Sequence, residues 1–199
     1  MPIRRIKEND IDELVELHID SFKESLNILA GKKYLSEVFR WFIKTNNIAI
    51  LAYEKDIITG YLIGAPIGYE KSMNRALWKY GLIGLLKHPS RILNIKLLIN
   101  ILKRVKSIIG LSGMKTQPLV KEKGIGISLV GIAVAEKNKG RGTAAELVFE
   151  FEKASKELKA DFVRLSVLKE NKRAQTFYSK SGWTKHESAN GIYYFKELK

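Results

Sequence analysis

The sequence predicts an α/β fold of the mixed α+β kind, with about seven strands and flanking helices in one domain. Apolar runs rich in β-branched residues alternate with runs of helical period along most of the 199 residues. Within one segment, 127–156, a buried-strand pattern gives way to a helix whose Leu147, Phe151, Ala154 and Leu158 share one face. Hydrophobic residues make up 45% of the chain, which is enough for a sizeable core.

The elements before residue 67 follow from periodicity and from capping signals. Strands are predicted at 3–7, 48–53 and 57–66, and helices at 10–22 and 32–44. Asp10 with Glu13 resembles a capping box, and the short turn 54–56 joins two strands into a hairpin. His18 lies on the apolar face of the first helix, where we expect it to be packed.

An insertion at 69–123 separates the third and fourth strands. It holds twelve Lys or Arg against two Glu, so ten of the fourteen excess positive charges lie there. Two helical patterns meet at His88-Pro89-Ser90, and the second is amphipathic. That helix either packs on the domain as a wall of the site or lies on a membrane surface.

The stretch from Lys139 to Ala144 joins the fourth strand to its helix. Gly140 and Gly142 let the backbone approach a ligand, and the first N–H groups of a helix hold phosphate oxygens well. A dinucleotide fingerprint also fits these glycines. Four polar residues after the strand, and too little remaining chain for further βα units, argue against a dinucleotide site.

The remaining elements are a strand at 161–168, a helix capped by Asn171 with Ala174 and Phe177 facing inward, and a closing hairpin. The hairpin strands are predicted at 183–187 and 192–198, across Asn190-Gly191.

Two motifs resemble those of the GNAT family of N-acetyltransferases, over the whole chain apart from the insertion. The first is Lys137-x-x-Gly140-x-Gly142, or Lys139-x-x-Gly142-x-Ala144 in a second frame, with Lys in place of the family's Gln or Arg. The second, starting at Asn171, is similar to N-x-x-A-x-x-F-Y-x-x-x-G-F/W.

The resemblance implies a GNAT fold, whose mixed sheet splays between the fourth and fifth strands, and acetyl-CoA as cosubstrate. Tyr178 would be the acid that protonates the leaving thiolate. The backbone N–H of Val134 would polarise the acetyl carbonyl. The residues that would bind the cosubstrate are Ile132, Ala133, Val134, Lys139, Gly140, Arg141, Gly142, Thr143, Ala144, Asn171, Ala174, Phe177 and Tyr178.

The acceptor and the base are less defined by the resemblance. Phe39, Trp41 and Phe42 would line the acceptor site or pack in the core. The positions where protein-acetylating members carry a Glu lack one here; Ser166 occupies the second of them. A water chain at Ser128 or Ser166, or a carboxylate such as Glu54 or Glu70, remains as the base.

We therefore predict direct acetyl transfer to a primary amine of a small molecule, such as an amino sugar. The alternatives are a protein lysine or N-terminal acetyltransferase, and a non-catalytic module that binds CoA or a membrane surface. Scattered histidines and absent cysteines predict no metal site, and no G-x-S-x-G elbow is present. We expect a cytoplasmic protein without nucleic acid as a partner; a homodimer and membrane-surface contact through the insertion stay open.

Overall fold

The computed structural model describes residues 1–22, 28, 30–86, 124–188 and 191–198, and these fall into two compact units. The first unit contains the described residues of 1–5, 47–67 and 124–198, which build the sheet and two helices. The second contains the described residues of 6–46 and 68–86, which build three helices.

The first unit is a seven-stranded mixed sheet, in agreement with the predicted fold class. The strands are β1 Ile3–Arg5, β2 Ile48–Glu54, β3 Ile57–Pro66, β4 Gly126–Val134, β5 Phe162–Val167, β6 Thr184–Ser188 and β7 Gly191–Glu197. Their spatial order is β1-β2-β3-β4-β5-β7-β6. All neighbours are antiparallel except β4 and β5, which are parallel. A parallel pair needs a crossover, and the helix that begins at Thr143 provides it.

The hairpin between β2 and β3 turns at Lys55 and Asp56, which have φ values of 49° and 62°. Two successive left-handed residues match the right-handed twist of the flanking strands, so this tight turn suits a hairpin. The turn predicted at 54–56 is therefore confirmed.

The sheet splays between β4 and β5, as predicted. The parallel pairing covers only Gly126↔Phe162, Ile127↔Val163 and Ser128↔Arg164. On its other edge, β4 stays paired with β3 as far as Val134, with a bulge that places Leu129 opposite Gly64 and Gly131 opposite Ile63. Val130 is thus an extra residue in β4, and a bulge bends the strand that carries it. The bend lies where β4 and β5 part.

Two helices belong to the same unit: α4, Thr143–Glu157, and α5, Lys172–Lys180. Leu147 and Phe151 are fully buried in the core, as predicted from their period. The prediction for Leu158 was wrong, because 47% of this residue is exposed. The helix ends at Glu157, and Lys159 adopts a left-handed φ of 58° that turns the chain away.

The second unit contains α1, Ile11–Ser21, α2, Lys32–Lys44, and α3, Tyr69–Leu86. Phe39, Trp41 and Phe42 are buried, and the rings of Trp41 and Phe42 lie 6.4 and 6.5 Å from that of Tyr69. Trp41 and Phe42 therefore pack α2 against α3.

His18 is packed as predicted, with its ring centroid 4.8 Å from that of Phe22 and 6.3 Å from that of Phe39. The capping box predicted at Asp10 and Glu13 was wrong. The Asp10 carboxylate instead accepts the N–H of Lys7 at 2.7 Å, closing a preceding 3-10 turn, and gives α1 no side-chain cap.

Of the insertion, only residues 69–86, which form α3, belong to the described part of the chain. The junction at His88-Pro89-Ser90 and the second amphipathic helix lie outside it. Within the described residues, no helix is both long and apolar enough to cross a membrane.

Candidate active site

A loop rich in left-handed glycines connects β4 to the beginning of α4. After a 3-10 turn at Glu136–Asn138, Gly140 and Gly142 have φ values of 82° and 87°. Gly142 is the N-cap of α4, and no side chain caps the helix there. The first intrahelical hydrogen bond runs from the N–H of Glu146 to the carbonyl of Gly142, at 3.1 Å. The N–H groups of 143–145 precede that bond and have no partner within the helix.

Space in front of the loop is open. A Cβ atom built on Gly140 or Gly142 would have no described atom within 4 Å. Packing therefore does not require glycine at either position. The positive φ favours it, and so does a ligand that must approach the backbone. We refer to 139–145 as the cradle.

Two buried polar atoms lie at the cradle without a hydrogen-bond partner among the described residues. They are Oγ1 of Thr143, a residue 1% exposed, and Oδ1 of Asn138, a residue 3% exposed. Buried polar groups are nearly always paired, so such orphans mark places where a ligand or water completes the site. Thr143 is among the predicted site residues, whereas Asn138 is not, because nothing in the polar loop signals that its side chain is buried.

Positive charge surrounds the cradle. Lys137, Lys139 and Arg141 are all exposed, and the Lys139 ammonium pairs with the Glu136 carboxylate. Together with the positive end of the α4 dipole, these cations favour an anion at the free N–H groups. Of the predicted site residues, the structure thus brings Lys139, Gly140, Arg141, Gly142, Thr143 and Ala144 into this one loop.

The free edge of β4 leads to the cradle. The N–H of Ala135 donates to the carbonyl of Thr59 at 2.8 Å, and a Cβ on Gly60 would meet the Ala133 carbonyl at 2.9 Å. The backbone N–H and C=O of Ala133 and Ala135 therefore face β3. Because these groups point to opposite edges in successive residues of a strand, those of Ile132 and Val134 face the splayed side. Of the three predicted positions, Ile132 and Val134 thus offer backbone groups that pair with no described strand, whereas the backbone of Ala133 is turned toward β3.

The second motif forms α5. The side chain of Asn171 accepts the N–H of Ala174 at 3.0 Å, which confirms the predicted N-cap. Ala174 and Phe177 are half-buried and pack against the core.

Tyr178 is 4% exposed, and its ring lies 5.1 Å from Phe177, 5.6 Å from Trp183 and 5.7 Å from Tyr194. Its hydroxyl makes no hydrogen bond to the part of the chain that the structure describes. Burial raises the pKa of Tyr178 well above its ordinary value, so the phenol stays protonated at neutral pH and can act as a hydrogen-bond donor.

The four candidate bases differ in burial and in their position in the fold. Ser128 is half-buried in the paired part of β4, whereas Ser166 is exposed on β5 beyond its last pair with β4. Glu54 is exposed at the end of β2, and Glu70 is exposed on α3. Among the described residues, no group of three or more Asp, Glu or His could hold a metal ion.

Solved structures share this architecture at low sequence identity. A ribosomal-protein-alanine N-acetyltransferase from Brucella melitensis aligns over 100% of both chains, with a TM-score of 0.61 and 13% identity. A putative acetyltransferase, yncA, from Salmonella typhimurium, solved with acetyl-CoA, aligns over 100% of this chain and 94% of its own, with a TM-score of 0.62 and 8% identity. The paiA N-acetyltransferase from Thermoplasma acidophilum, solved with coenzyme A, aligns over 98% of both chains, with a TM-score of 0.61 and 13% identity.

At these identities, the likeness shows the fold and confirms the predicted one. No curated protein matches the chain in sequence. The family model of the acetyltransferase (GNAT) family matches residues 11–183, which include both motifs. The chain therefore belongs to the GNAT family of acetyltransferases.

Proposed function

We propose that the chain transfers the acetyl group of acetyl-CoA directly to a primary amine of a small molecule, without an acyl-enzyme. The observation that carries the proposal is the cradle: open, left-handed glycines at an uncapped helix N-terminus, at the end of a strand with a free edge. Acetyl-CoA has a diphosphate joined to an extended arm with two amides, and each part has a matching surface.

The cradle suits the diphosphate. The phosphate oxygens would accept hydrogen bonds from the N–H groups of 143–145. The side chains of Lys139 and Arg141 would balance the negative charge of the diphosphate. The hydroxyl of Thr143 can donate as well as accept, so a bound oxygen would also satisfy this buried group.

The free edge of β4 suits the pantetheine arm. Its amides would form hydrogen bonds with the backbone N–H and C=O groups of Ile132 and Val134, as an added strand pairs with a sheet edge. The N–H of Val134 is also the proposed donor to the acetyl oxygen, where negative charge develops during attack.

Tyr178 is the proposed acid. The amine nitrogen forms the new C–N bond to the acetyl carbon, the C–S bond breaks, and the sulfur takes the phenolic proton of Tyr178. The proton lost by the nitrogen returns to the tyrosine through solvent, so the products are the amide and free CoA. The raised pKa of Tyr178 keeps the phenol protonated before each turnover.

A small amine is a better candidate for the acceptor than an amine of a protein. Gly126–Val134 contains no carboxylate, and the exposed residue at 166 is a serine. The net charge of +14 favours an acceptor with an anionic handle, such as a nucleotide-linked amino sugar. The competing acceptors are a protein lysine and a protein N-terminus.

Cosubstrate binding is tested by titration calorimetry with acetyl-CoA on a matched pair of variants. Gly142→Ala and Gly31→Ala both replace a glycine N-cap with a positive φ, 87° and 89°, and with open space at the Cβ. Gly142 is left-handed helical with ψ −11°, and an alanine there should cost about 1 kcal/mol of stability; Gly31 has ψ 167°, which strains an alanine at least as much. Only Gly142→Ala should raise the Kd for acetyl-CoA, by at least about tenfold. Equal affinities of the two variants for acetyl-CoA would refute the proposal that the cradle binds the diphosphate.

Turnover is tested by thiol release over a panel of amino sugars, nucleotide-linked amino sugars, other small amines, lysine peptides and peptides with free N-termini. The proposal predicts turnover with a small amine and less with either peptide class. Turnover with peptides alone would make the chain a protein acetyltransferase. Tight binding of acetyl-CoA with no turnover on any amine would make it a CoA-binding module.

A further inference from the structure

Helix α3, Tyr69–Leu86, carries an exposed face that the proposed chemistry does not use. Trp78 and Ile83 are 48% and 49% exposed there, although large apolar side chains are normally buried. Three exposed cations, Lys71, Arg75 and Lys79, accompany them.

These five residues lie on one side of the helix. At 3.6 residues per turn, they fall within an arc of about 140°. The Lys79 ammonium lies over the Trp78 ring, 5.8 Å from its centroid. The exposed carboxylate of Glu70 lies outside the arc. We call the side formed by Lys71, Arg75, Trp78, Lys79 and Ile83 the basic-aromatic face.

The opposite side of α3 is already packed within its own unit. Leu77 is 3% exposed. A Cβ on Gly81 would lie 3.7 Å from the Tyr34 ring, and one on Gly84 would meet the Ala30 carbonyl at 2.0 Å. The helix is thus held by its small residues against the chain around α2, which leaves the basic-aromatic face turned outward.

We propose that the basic-aromatic face docks on the surface of an anionic lipid bilayer. Tryptophan prefers the headgroup level, where its ring is half in apolar and half in polar surroundings. Lys and Arg can lay their aliphatic stems beside it while their charges meet lipid phosphates. Charge complementarity favours this partner further, because the chain has a net charge of +14 and the sequence from 69 to 123 supplies ten of those charges.

The test uses the full chain and sedimentation with vesicles of phosphatidylcholine, with and without about a third of phosphatidylglycerol. Binding should need the anionic lipid and weaken at high salt, because the Debye length shortens. The triple variant K71Q/R75Q/K79Q should bind at least about tenfold more weakly. The matched variant K153Q/K156Q/K159Q removes three exposed charges from 153–159 instead and should change binding by less than about threefold.

Brominated lipids locate the contact independently of affinity. Trp41 and Trp183 are 9% and 3% exposed, so quenching by bromine should come from Trp78 and disappear in Trp78→Phe. Equal binding by the two triple variants, or quenching that survives in Trp78→Phe, would overturn the proposal. So would binding to an RNA or DNA oligonucleotide, sensitive to the first triple variant, in the absence of vesicle binding.

Discussion

The Tyr194 hydroxyl donates a hydrogen bond to the carbonyl oxygen of Gln175, at 3.0 Å. It also lies 3.3 Å from the Ser179 hydroxyl. Tyr194 belongs to β7, and the other two residues flank Tyr178 on α5. The central sheet is therefore tied to the helix that carries the proposed acid, at Gln175, about one turn before Tyr178, and at Ser179, the residue after it.

Removing this tie should cost stability and little activity. Tyr194→Phe deletes a buried hydrogen bond but keeps the ring, so the free energy of unfolding should fall by about 1 kcal/mol. Denaturant unfolding measures the loss. Tyr193→Phe is the matched control on the other side of β7, because the Tyr193 hydroxyl has no hydrogen-bond partner among the described residues. Its effect should stay below about 0.5 kcal/mol; equal effects would contradict the role given to Tyr194.

Tyr178→Phe should separate chemistry from folding. The variant keeps the ring contacts and loses only the proton donor, so kcat should fall by about 10² or more while the Kd for acetyl-CoA stays within about threefold. Steady-state kinetics and calorimetry measure the two quantities. Tyr194→Phe serves again as a control, because it removes a hydroxyl from the ring next to Tyr178, and its kcat should stay within about threefold. Unchanged turnover in Tyr178→Phe would show that the proton comes from elsewhere.

Much of the fold followed from local pattern, and the exceptions have identifiable causes. The bounds predicted for α2 and β3 match the structure. The helical period of α2 ends shortly before the turn former Asn46, and the strand pattern of β3 begins directly after the turn former Asp56. Leu158 was misplaced because α4 ends through a left-handed Lys159, with the N–H of Ala160 bonded to the carbonyl of Ser155 at 3.0 Å. Helical period cannot reveal a left-handed lysine.

The candidate site divides in the same way. The glycines of the cradle and the Asn171 cap are local signals, so the sequence was enough to find them. The bulge at Val130 depends on pairing with β3, although Gly131 inside an apolar run hints at it. The edge toward which the backbone N–H and C=O of Ala133 point depends on that register, so the sequence alone could not predict it. The burial of Asn138 depends on how the 3-10 turn folds back.

The buried histidine predicts an acid-sensitive fold. Burial lowers the pKa of His18 from 6.5 to about 4, so the folded state holds it neutral while the unfolded state takes up a proton. The stability that this neutral imidazole confers is present above pH 6.5 and is lost as the pH falls toward 4. The loss should amount to about 2 kcal/mol after allowance for partial exposure.

Denaturant unfolding at several pH values measures this loss. In His18→Gln, the free energy of unfolding should fall less between pH 6.5 and 4 than it does in the unchanged protein. His186→Gln, on β6, is the control and should leave the fall in place, because the imidazole of His18 remains. An unchanged fall in His18→Gln would assign the acid sensitivity to other groups.

Glu152 on α4 should contribute more stability than a surface carboxylate of the same helix. Its Oε1 accepts the indole N–H of Trp183 at 2.9 Å, and its Oε2 lies 2.7 Å from the Lys196 ammonium. Trp183 is 3% exposed, so Glu152→Ala leaves a buried donor unpaired and should lower the free energy of unfolding by about 1–3 kcal/mol. Among the described residues, Glu150 pairs only with exposed Lys153, at 3.7 Å between the charged atoms, so Glu150→Ala should cost about 0.5 kcal/mol or less. Chemical denaturation of the two variants decides the point, and similar midpoints would mean that Trp183 finds water when Glu152 is removed.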